Sequence, residues 1–276
     1  MTIGIVGLGL IGGSFAKAIK KYTDHRVLGC NRSPLPEAKA IEEGAIDEIL
    51  SDGLIGQCQL IIVSLYPEAS VQWVQSHKQF IASGTVVMDA CGIKRPICQA
   101  LEPVAKEGHF TFVGGHPMAG RELSGFDAAL ADLFVGASLI LTNPNPPEML
   151  TKLAKQLGFG MVKCTTPENH DKMIAFTSQL AHIVSGAYVK SPSALEHKGY
   201  SAGSFRDLTR VAYLNETMWT ELFLDNRDYL SWEIGHIIQE LQKYKDALDQ
   251  GDETELKDLL RQGREMKEKS NENSAC

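Results

Sequence analysis

The sequence has no cysteines spaced for a metal or a redox pair. Its six cysteines (Cys30, Cys58, Cys91, Cys98, Cys164 and Cys276) are scattered, with no C-x-x-C. That argues against zinc-finger and thioredoxin-like sites. It points instead to reduced thiols, hence to a cytoplasmic protein. No run of about 18 apolar residues occurs, so no membrane span is expected. Positive charge is in deficit, with 27 Lys and Arg against 34 Asp and Glu, a net charge of −7. A nucleic-acid partner needs a basic surface and is not expected. Any anionic ligand must be met by local cations against the overall field. Internal repeats and low-complexity tracts are also absent.

What the 276 residues do contain is alternation. TIGIV at residues 2–6 is followed by a helical pattern to about Lys21. Apolar runs recur at Val27–Cys30, Leu60–Leu65, Thr85–Met88, Thr111–Val113 and Ser138–Thr142. Helical patterns separate most of them. This implies a mainly parallel, doubly wound sheet covered on both faces. After Asn143-Pro144-Asn145-Pro146-Pro147 comes a short helix and one more β-like run, Met161–Cys164. From Thr166 the pattern is helical almost throughout, and Thr166-Pro167-Glu168 reads as a capped helix start. The expected division is a dinucleotide-binding domain over 1–164 and an all-α domain over 165–276.

The apolar start has the look of a secretory signal, but no cation precedes it, and its glycines fit another role. Gly7-Leu8-Gly9-Leu10-Ile11-Gly12 follows a strand and opens a helix. That context turns a weak G-x-G-x-x-G motif into a cofactor site. Gly7 allows the tight turn, Gly9 lets backbone approach a pyrophosphate, and Gly12 lets helix pack on strand. Free N–H groups at Leu10 and Ile11 begin the helix and favour phosphate. Leu65 and Tyr66, closing the run Leu60–Leu65, are expected along the same groove. The second strand ends in Asn31-Arg32-Ser33 rather than in Asp or Glu. An acid there would serve the ribose hydroxyl of NAD; Arg and Ser suit a 2′-phosphate. NADP is favoured over NAD, with dual use left open.

Residues 113–125, VGGHPMAGRELSG, place His116 in a glycine-bounded loop at the end of a strand. Lys94, Arg95 and Arg121 fall near the strand ends where open sheets bind ligands. In the helical half, Ser178, His182 and Ser185 share one face of an otherwise apolar helix, bordered by Gln179. The helix Met173–Val189 is apolar nearly all round and suits a buried position or a subunit interface. Arg206 and Arg210 sit four apart, and Arg is the natural bidentate partner of a carboxylate.

These pieces together resemble the prephenate/arogenate dehydrogenase family of tyrosine biosynthesis. The resemblance spans nearly the whole chain. It rests on GLGLIGGS at the start, GGHPMAG at 114–120, HD at 170–171, the His182 helix, and SFRDLTR at 204–210 with Trp219. It implies oxidative decarboxylation of prephenate to 4-hydroxyphenylpyruvate with NAD(P)+ by a homodimer. His116 would be the base, Arg210 would hold a substrate carboxylate, and Gln179, His182, Gly203 and Trp219 would line the pocket. Two departures stand out. Asp89-Ala90-Cys91-Gly92-Ile93-Lys94 has Gly92 where many relatives carry a Ser that assists the histidine, so water or Cys91 would have to substitute. Gln179 stands where many carry a second His. The resemblance implies no tyrosine-sensing module, while direct competition by tyrosine stays open. Arogenate is the alternative substrate; Asp207 and Glu122 are acids near the motifs that would suit its ammonium. Another NADP-dependent β-hydroxyacid-type dehydrogenase, with Lys172 or Lys190 as its lysine, and a non-catalytic NADP-sensing protein are the competing readings.

Overall fold

The computed structural model describes residues 1–121 and 123–272, so Glu122 and Cys276 lie outside the described residues. Strands β1 (Thr2–Val6), β2 (Arg26–Cys30), β3 (Glu48–Ile49), β4 (Leu60–Val63), β5 (Val86–Asp89) and β6 (Thr111–Val113) form one sheet in the order β3-β2-β1-β4-β5-β6. Every pairing in it is parallel. Helices α1 (Leu10–Tyr22), α2 (Pro34–Glu42), α3 (Asp52–Ile55), α4 (Pro67–His77) and α5 (Arg95–Glu107) connect the strands. The run LIIV of β4 is buried at every residue, as is VVMD of β5. A strand flanked by strands and roofed by helices has no solvent face, which is why these runs do not alternate. The expected Rossmann-type sheet is therefore present. Two strands were not expected: β3, an exposed two-residue edge too short to show any pattern, and Gly115–Pro117, which holds His116 in a short strand rather than in a loop.

The runs at 138–142 and 161–164 do not extend that sheet. They form β8 (Ser138–Leu141) and β9 (Met161–Cys164), which join β7 (Gly115–Pro117) in a second sheet of three strands. The chain turns from β6 into β7 at Gly114-Gly115. A Cβ on Gly115 would lie 2.6 Å from the Asp89 carbonyl oxygen, so only glycine lets β7 pass so close to the end of β5. In β7, His116 stands opposite Ile140 of β8.

Helices α6 (Glu148–Gln156) and α7 (Pro167–Ile174) follow. Thr166 caps α7 through its side-chain oxygen, which accepts from Asn169 N, as its sequence predicts. A π-helical stretch, Ala175–Leu180, joins α7 to α8 (Ala181–Tyr188). Then come α9 (Gly203–Thr209), α10 (Glu216–Asp225), α11 (Arg227–Gln250) and α12 (Glu253–Glu272). On the α7–α8 segment Ile174, Ala175 and Leu180 are buried, whereas Met173, Phe176 and Tyr188 are exposed in the single chain.

The chain divides into two compact units, Met1–Arg227 and Asp228–Cys276. The first holds both sheets and the helices through α10. The second is a helical hairpin: α11 and α12 turn at Gly251, whose φ is +66°, and Tyr244 Oη donates to the Leu259 carbonyl (3.1 Å). No described helix is long and apolar enough to cross a membrane.

Candidate active site

In the first unit the strand order reverses between β1 and β4, and a crevice opens beyond their carboxyl ends. A cleft of about 630 Å³ occupies it. One wall is built by the ends of β1, β4 and β5, through Gly9–Ile11, Ser64–Pro67 and Ala90–Gly92. The opposite wall is helical, with Ser178, Gln179 and His182 from the α7–α8 segment and Arg210, Met218, Trp219 and Leu222 further on. His116 and the loop after it close a third side. Ile93, Ile174 and Leu222 form a buried apolar cluster with Met218 and Trp219 that holds the two walls together.

The glycine loop fits a dinucleotide. Gly7 has φ +89°, and a Cβ on Gly12 would fall 1.9 Å from the Gly7 carbonyl oxygen, so loop and helix meet in direct backbone contact. Gly9 is the opposite case: its missing Cβ would touch nothing within 4 Å, which leaves open space in front of the helix N-terminus. That open face is where a pyrophosphate reaches backbone N–H groups. At the end of β2, Asn31 Oδ1 accepts from Leu8 N (3.1 Å), and Asn31 N donates to Glu37 Oε1 (2.8 Å). This ties the cofactor-facing turn to the start of α2. Arg32 and Ser33 beside it are exposed.

His116 is controlled from behind. Its Nδ1 lies 2.9 Å from His170 Nε2, and His170 Nδ1 lies 2.7 Å from Asp171 Oδ1. An ionised carboxylate only accepts, so His170 donates from Nδ1. Neutral His170 then accepts at Nε2, so His116 donates from its own Nδ1. The consequence is a bare lone pair on His116 Nε2. That nitrogen faces Gly92, since a Cβ there would stand 3.9 Å from it. Burial pushes the His116 imidazole well below the usual histidine range, and His170 and Lys94 push the same way. Burial lowers His170 too, against the bond to Asp171 that favours its charged form.

Asp171 does more than orient a ring. Its carboxylate accepts the backbone amides of Lys94 and Arg95, both at 2.8 Å, and Arg95 Nε at 3.3 Å. It thus caps α5 from α7, an anion at a helix N-terminus. Asn226 donates to the Asp171 carbonyl (2.9 Å) and to Gln179 Oε1 (2.7 Å), while Gln179 Nε2 donates to the Leu222 carbonyl (3.0 Å). Beneath His116, buried Lys94 is paired with Asp89 and donates to the Gly115 carbonyl (2.7 Å). Asp171, Asn226, Gln179, Lys94 and Asp89 are almost wholly buried, and each has partners. A framework of this kind fixes geometry because any loosened member is left unsatisfied in a dry interior.

The expected site residues fall into three groups. Gly9, Leu10, Ile11, Leu65, Tyr66, His116, Gln179, His182, Arg210 and Trp219 all border the cleft. Gly7, Gly12 and Asn31 shape its cofactor end from behind. Gly203 opens α9 at the surface, and neither it nor Arg32 and Ser33 lines the cleft of the single chain. Within the first group Gln179 has its amide oxygen and nitrogen engaged by Asn226 and the Leu222 carbonyl. His182 Nδ1 donates to the Val211 carbonyl (2.9 Å), which leaves Nε2 as an acceptor, and its ring packs on Trp219 at 4.1 Å. Ser185, expected on the same face, does not line the cleft; it is buried in α8, and its hydroxyl has no hydrogen-bond partner among the described residues. Cys91 does not stand in for a serine at 92. Its thiol bonds the Leu65 carbonyl (3.2 Å) and lies 3.4 Å from Ser70 Oγ. Sequence reasoning gave the pair at 170–171 no role of its own and missed Asn226 and the Asp89–Lys94 pair.

A glycine loop at a sheet switch point, across a cleft from a histidine with a free basic nitrogen, defines a nicotinamide-dependent dehydrogenase with a helical second part. The particular family follows from comparison: the chain belongs to the prephenate dehydrogenases. Residues 15–158 match the model of the prephenate dehydrogenase nucleotide-binding domain, and residues 166–262 match that of the prephenate dehydrogenase dimerization domain. The prephenate dehydrogenase of Bacillus subtilis (strain 168) is 31% identical over 269 residues, covering 92% of this chain and 72% of its own. The crystal structure of prephenate dehydrogenase from A. aeolicus, in complex with hydroxyphenyl propionate and NAD+, superposes with a TM-score of 0.85 at 26% identity, over 98% of each chain. Synechocystis arogenate dehydrogenase superposes with a TM-score of 0.82, also at 26% identity, over 98% of this chain and 100% of that one. Members of the family are oxidoreductases, and the match to the dimerization domain fits a chain that associates with itself.

Proposed function

We propose that the protein oxidises prephenate to 4-hydroxyphenylpyruvate and CO2, with NADP+ preferred over NAD+, as a cytoplasmic homodimer in tyrosine biosynthesis. One observation carries the reading: the lone pair of His116 Nε2 faces the same cleft as the glycine loop. The nicotinamide supplies the hydride acceptor. Gly9, Leu10 and Ile11 hold its pyrophosphate, Leu65 and Tyr66 flank it, and Asn31, Arg32 and Ser33 take the ribose phosphate end. The bond from His170 and Asp171 aims the His116 ring and steadies the charge it gains. His116 Nε2 accepts the proton of the ring hydroxyl as hydride leaves the same carbon. Loss of the ring carboxylate as CO2 then leaves an aromatic phenolate, which takes the proton back from His116 Nε2, so aromatisation drives the reaction and the chain's work is orientation. Arg210 pairs with a substrate carboxylate, and His182, Gln179 and Trp219 shape the pocket around the ring.

Support for NADP is the exposed Arg32 and Ser33 at the end of β2, where no acid follows the strand. Support for a reducing compartment is that the five described cysteines are all free. The functional division we assign is 1–164 for the cofactor and 165–276 for substrate and dimer. The test is direct. Purified protein is offered prephenate and arogenate, each with NADP+ and NAD+, and reduced nicotinamide is followed by absorbance. Turnover is expected, fastest with prephenate and NADP+. His116→Asn is expected to lower kcat by about 10²–10⁴ while sparing cofactor affinity. No turnover with any of the four pairs overturns the reading.

A further inference from the structure

We propose that Arg121 is a specificity residue that binds the side-chain carboxylate common to substrate and product. The inference rests on the prephenate reading above and adds a residue to it. Arg121 lies in the loop that leaves β7 directly after His116, and it borders the same cleft, with Met118, Gly120 and Leu123 around it. Its guanidinium is anchored by a bond from Nη1 to the Ala128 carbonyl (3.1 Å). That carbonyl sits on a firm base. Ala128 is buried, the next carbonyl, of Ala129, accepts from Lys17 Nζ (3.2 Å), and Leu130 N donates to Ser14 Oγ (3.0 Å). One nitrogen of a rigid fork is thus held, and the other side is left for a carboxylate, the geometry that arginine offers and lysine does not.

Two oxyanions compete for it. The cofactor pyrophosphate belongs at the first-turn amides of α1, at Gly9–Ile11. Arg121 is anchored instead on the Ala128 carbonyl, and the residues that follow, Ala129 and Leu130, bond to Lys17 and Ser14 on the flank of that helix rather than to its first-turn amides. The substrate is a dianion, and its two carboxylates behave differently. The ring carboxylate, which this assignment leaves to Arg210, must become neutral CO2, so its ion pair is given up in the chemical step. The side-chain carboxylate keeps its charge throughout, so binding it costs nothing in the chemical step. Arg121 is also exposed at the rim of the cleft, whereas Gln179 and Leu222 mark its buried depth. A polar tail directed to the rim, with the ring hydroxyl directed to His116, satisfies both ends.

The test uses 4-hydroxyphenylpyruvate, which keeps the side-chain carboxylate and lacks the ring carboxylate. In Arg121→Gln, KM for prephenate and Ki for 4-hydroxyphenylpyruvate are both expected to rise by about tenfold to a hundredfold. Turnover at saturation and the affinity for reduced cofactor, read by its fluorescence, should hold. Arg121→Lys, which keeps the charge and loses the fork, should give an intermediate Ki. An unchanged Ki in both variants overturns the proposal. So does a rise in KM alone, which would assign Arg121 to the ring carboxylate, or a loss of cofactor affinity, which would assign it to the pyrophosphate. Should the wild-type protein turn over neither substrate, the prephenate reading fails, and calorimetric binding of 4-hydroxyphenylpyruvate to both forms still decides the role of Arg121.

Discussion

Asp171→Asn tests the chain of bonds behind His116. The carboxylate now receives four donors: the amides of Lys94 and Arg95, Arg95 Nε and His170 Nδ1. An asparagine has one acceptor oxygen and one NH2, so one side must meet donor with donor. If the NH2 turns to Arg95, the start of α5 loses its cap. If it turns to His170, the relay inverts. His170 would accept at Nδ1 and carry its proton on Nε2, His116 would accept at Nδ1, and its own proton would sit on Nε2. The catalytic lone pair would be gone. The same tautomer logic in the serine protease triad makes Asp→Asn cost about 10⁴ in kcat. A general base is worth about 10²–10⁴, and we expect kcat to fall within that range.

A stability loss accompanies it, about 1.5–3 kcal/mol for a charge-assisted bond to a helix N-terminus. The two effects separate experimentally. Denaturant unfolding reads the cap. Saturating turnover and cofactor affinity, on protein shown to be folded, read the relay, with cofactor affinity expected to stay at its wild-type value. A folded Asp171→Asn enzyme with wild-type kcat and an unmoved acid limb in its pH profile would refute the tautomer argument.

Three further outcomes follow from the same buried groups. Because burial holds His116 well below the usual histidine range, kcat/KM should stay level as pH falls through about 6.5, with its acid limb lower. The folded state binds this proton less readily than the unfolded chain, so stability should decline as pH drops below about 6.5, and a urea series across pH 5–8 reads the slope. Lys94→Met leaves Asp89 buried without its cation and should cost about 3–5 kcal/mol in urea unfolding. If the loss is under about 1 kcal/mol, the pair is not the structural unit drawn here.

What the sequence disclosed and what it hid divide along a physical line. The runs LIIV and VVMD and the loop GLGLIG are local signals, and each sits where its pattern put it. Thr166 announced its own helix. The parts that failed to show are those made by contacts far apart in the chain. Asp171 bonds to residues 76 and 77 positions earlier, and Asn226 reaches Asp171 across 55. No periodicity encodes such pairings. Ser185 misled because a spacing rule of three and four puts residues on one helix face without saying how far along that face the cleft extends, and Ser185 is buried instead. Gly92 is the instructive case. Sequence comparison made its missing hydroxyl look like a broken catalytic part. Yet the ring it would have served is already oriented from the other side, through Nδ1, by groups 54 and 55 residues away. A histidine needs only one of its nitrogens held for the other to act. The relay from α7 therefore makes a hydroxyl at position 92 dispensable for setting the tautomer, and leaves the space beside Nε2 open to the substrate's own hydroxyl.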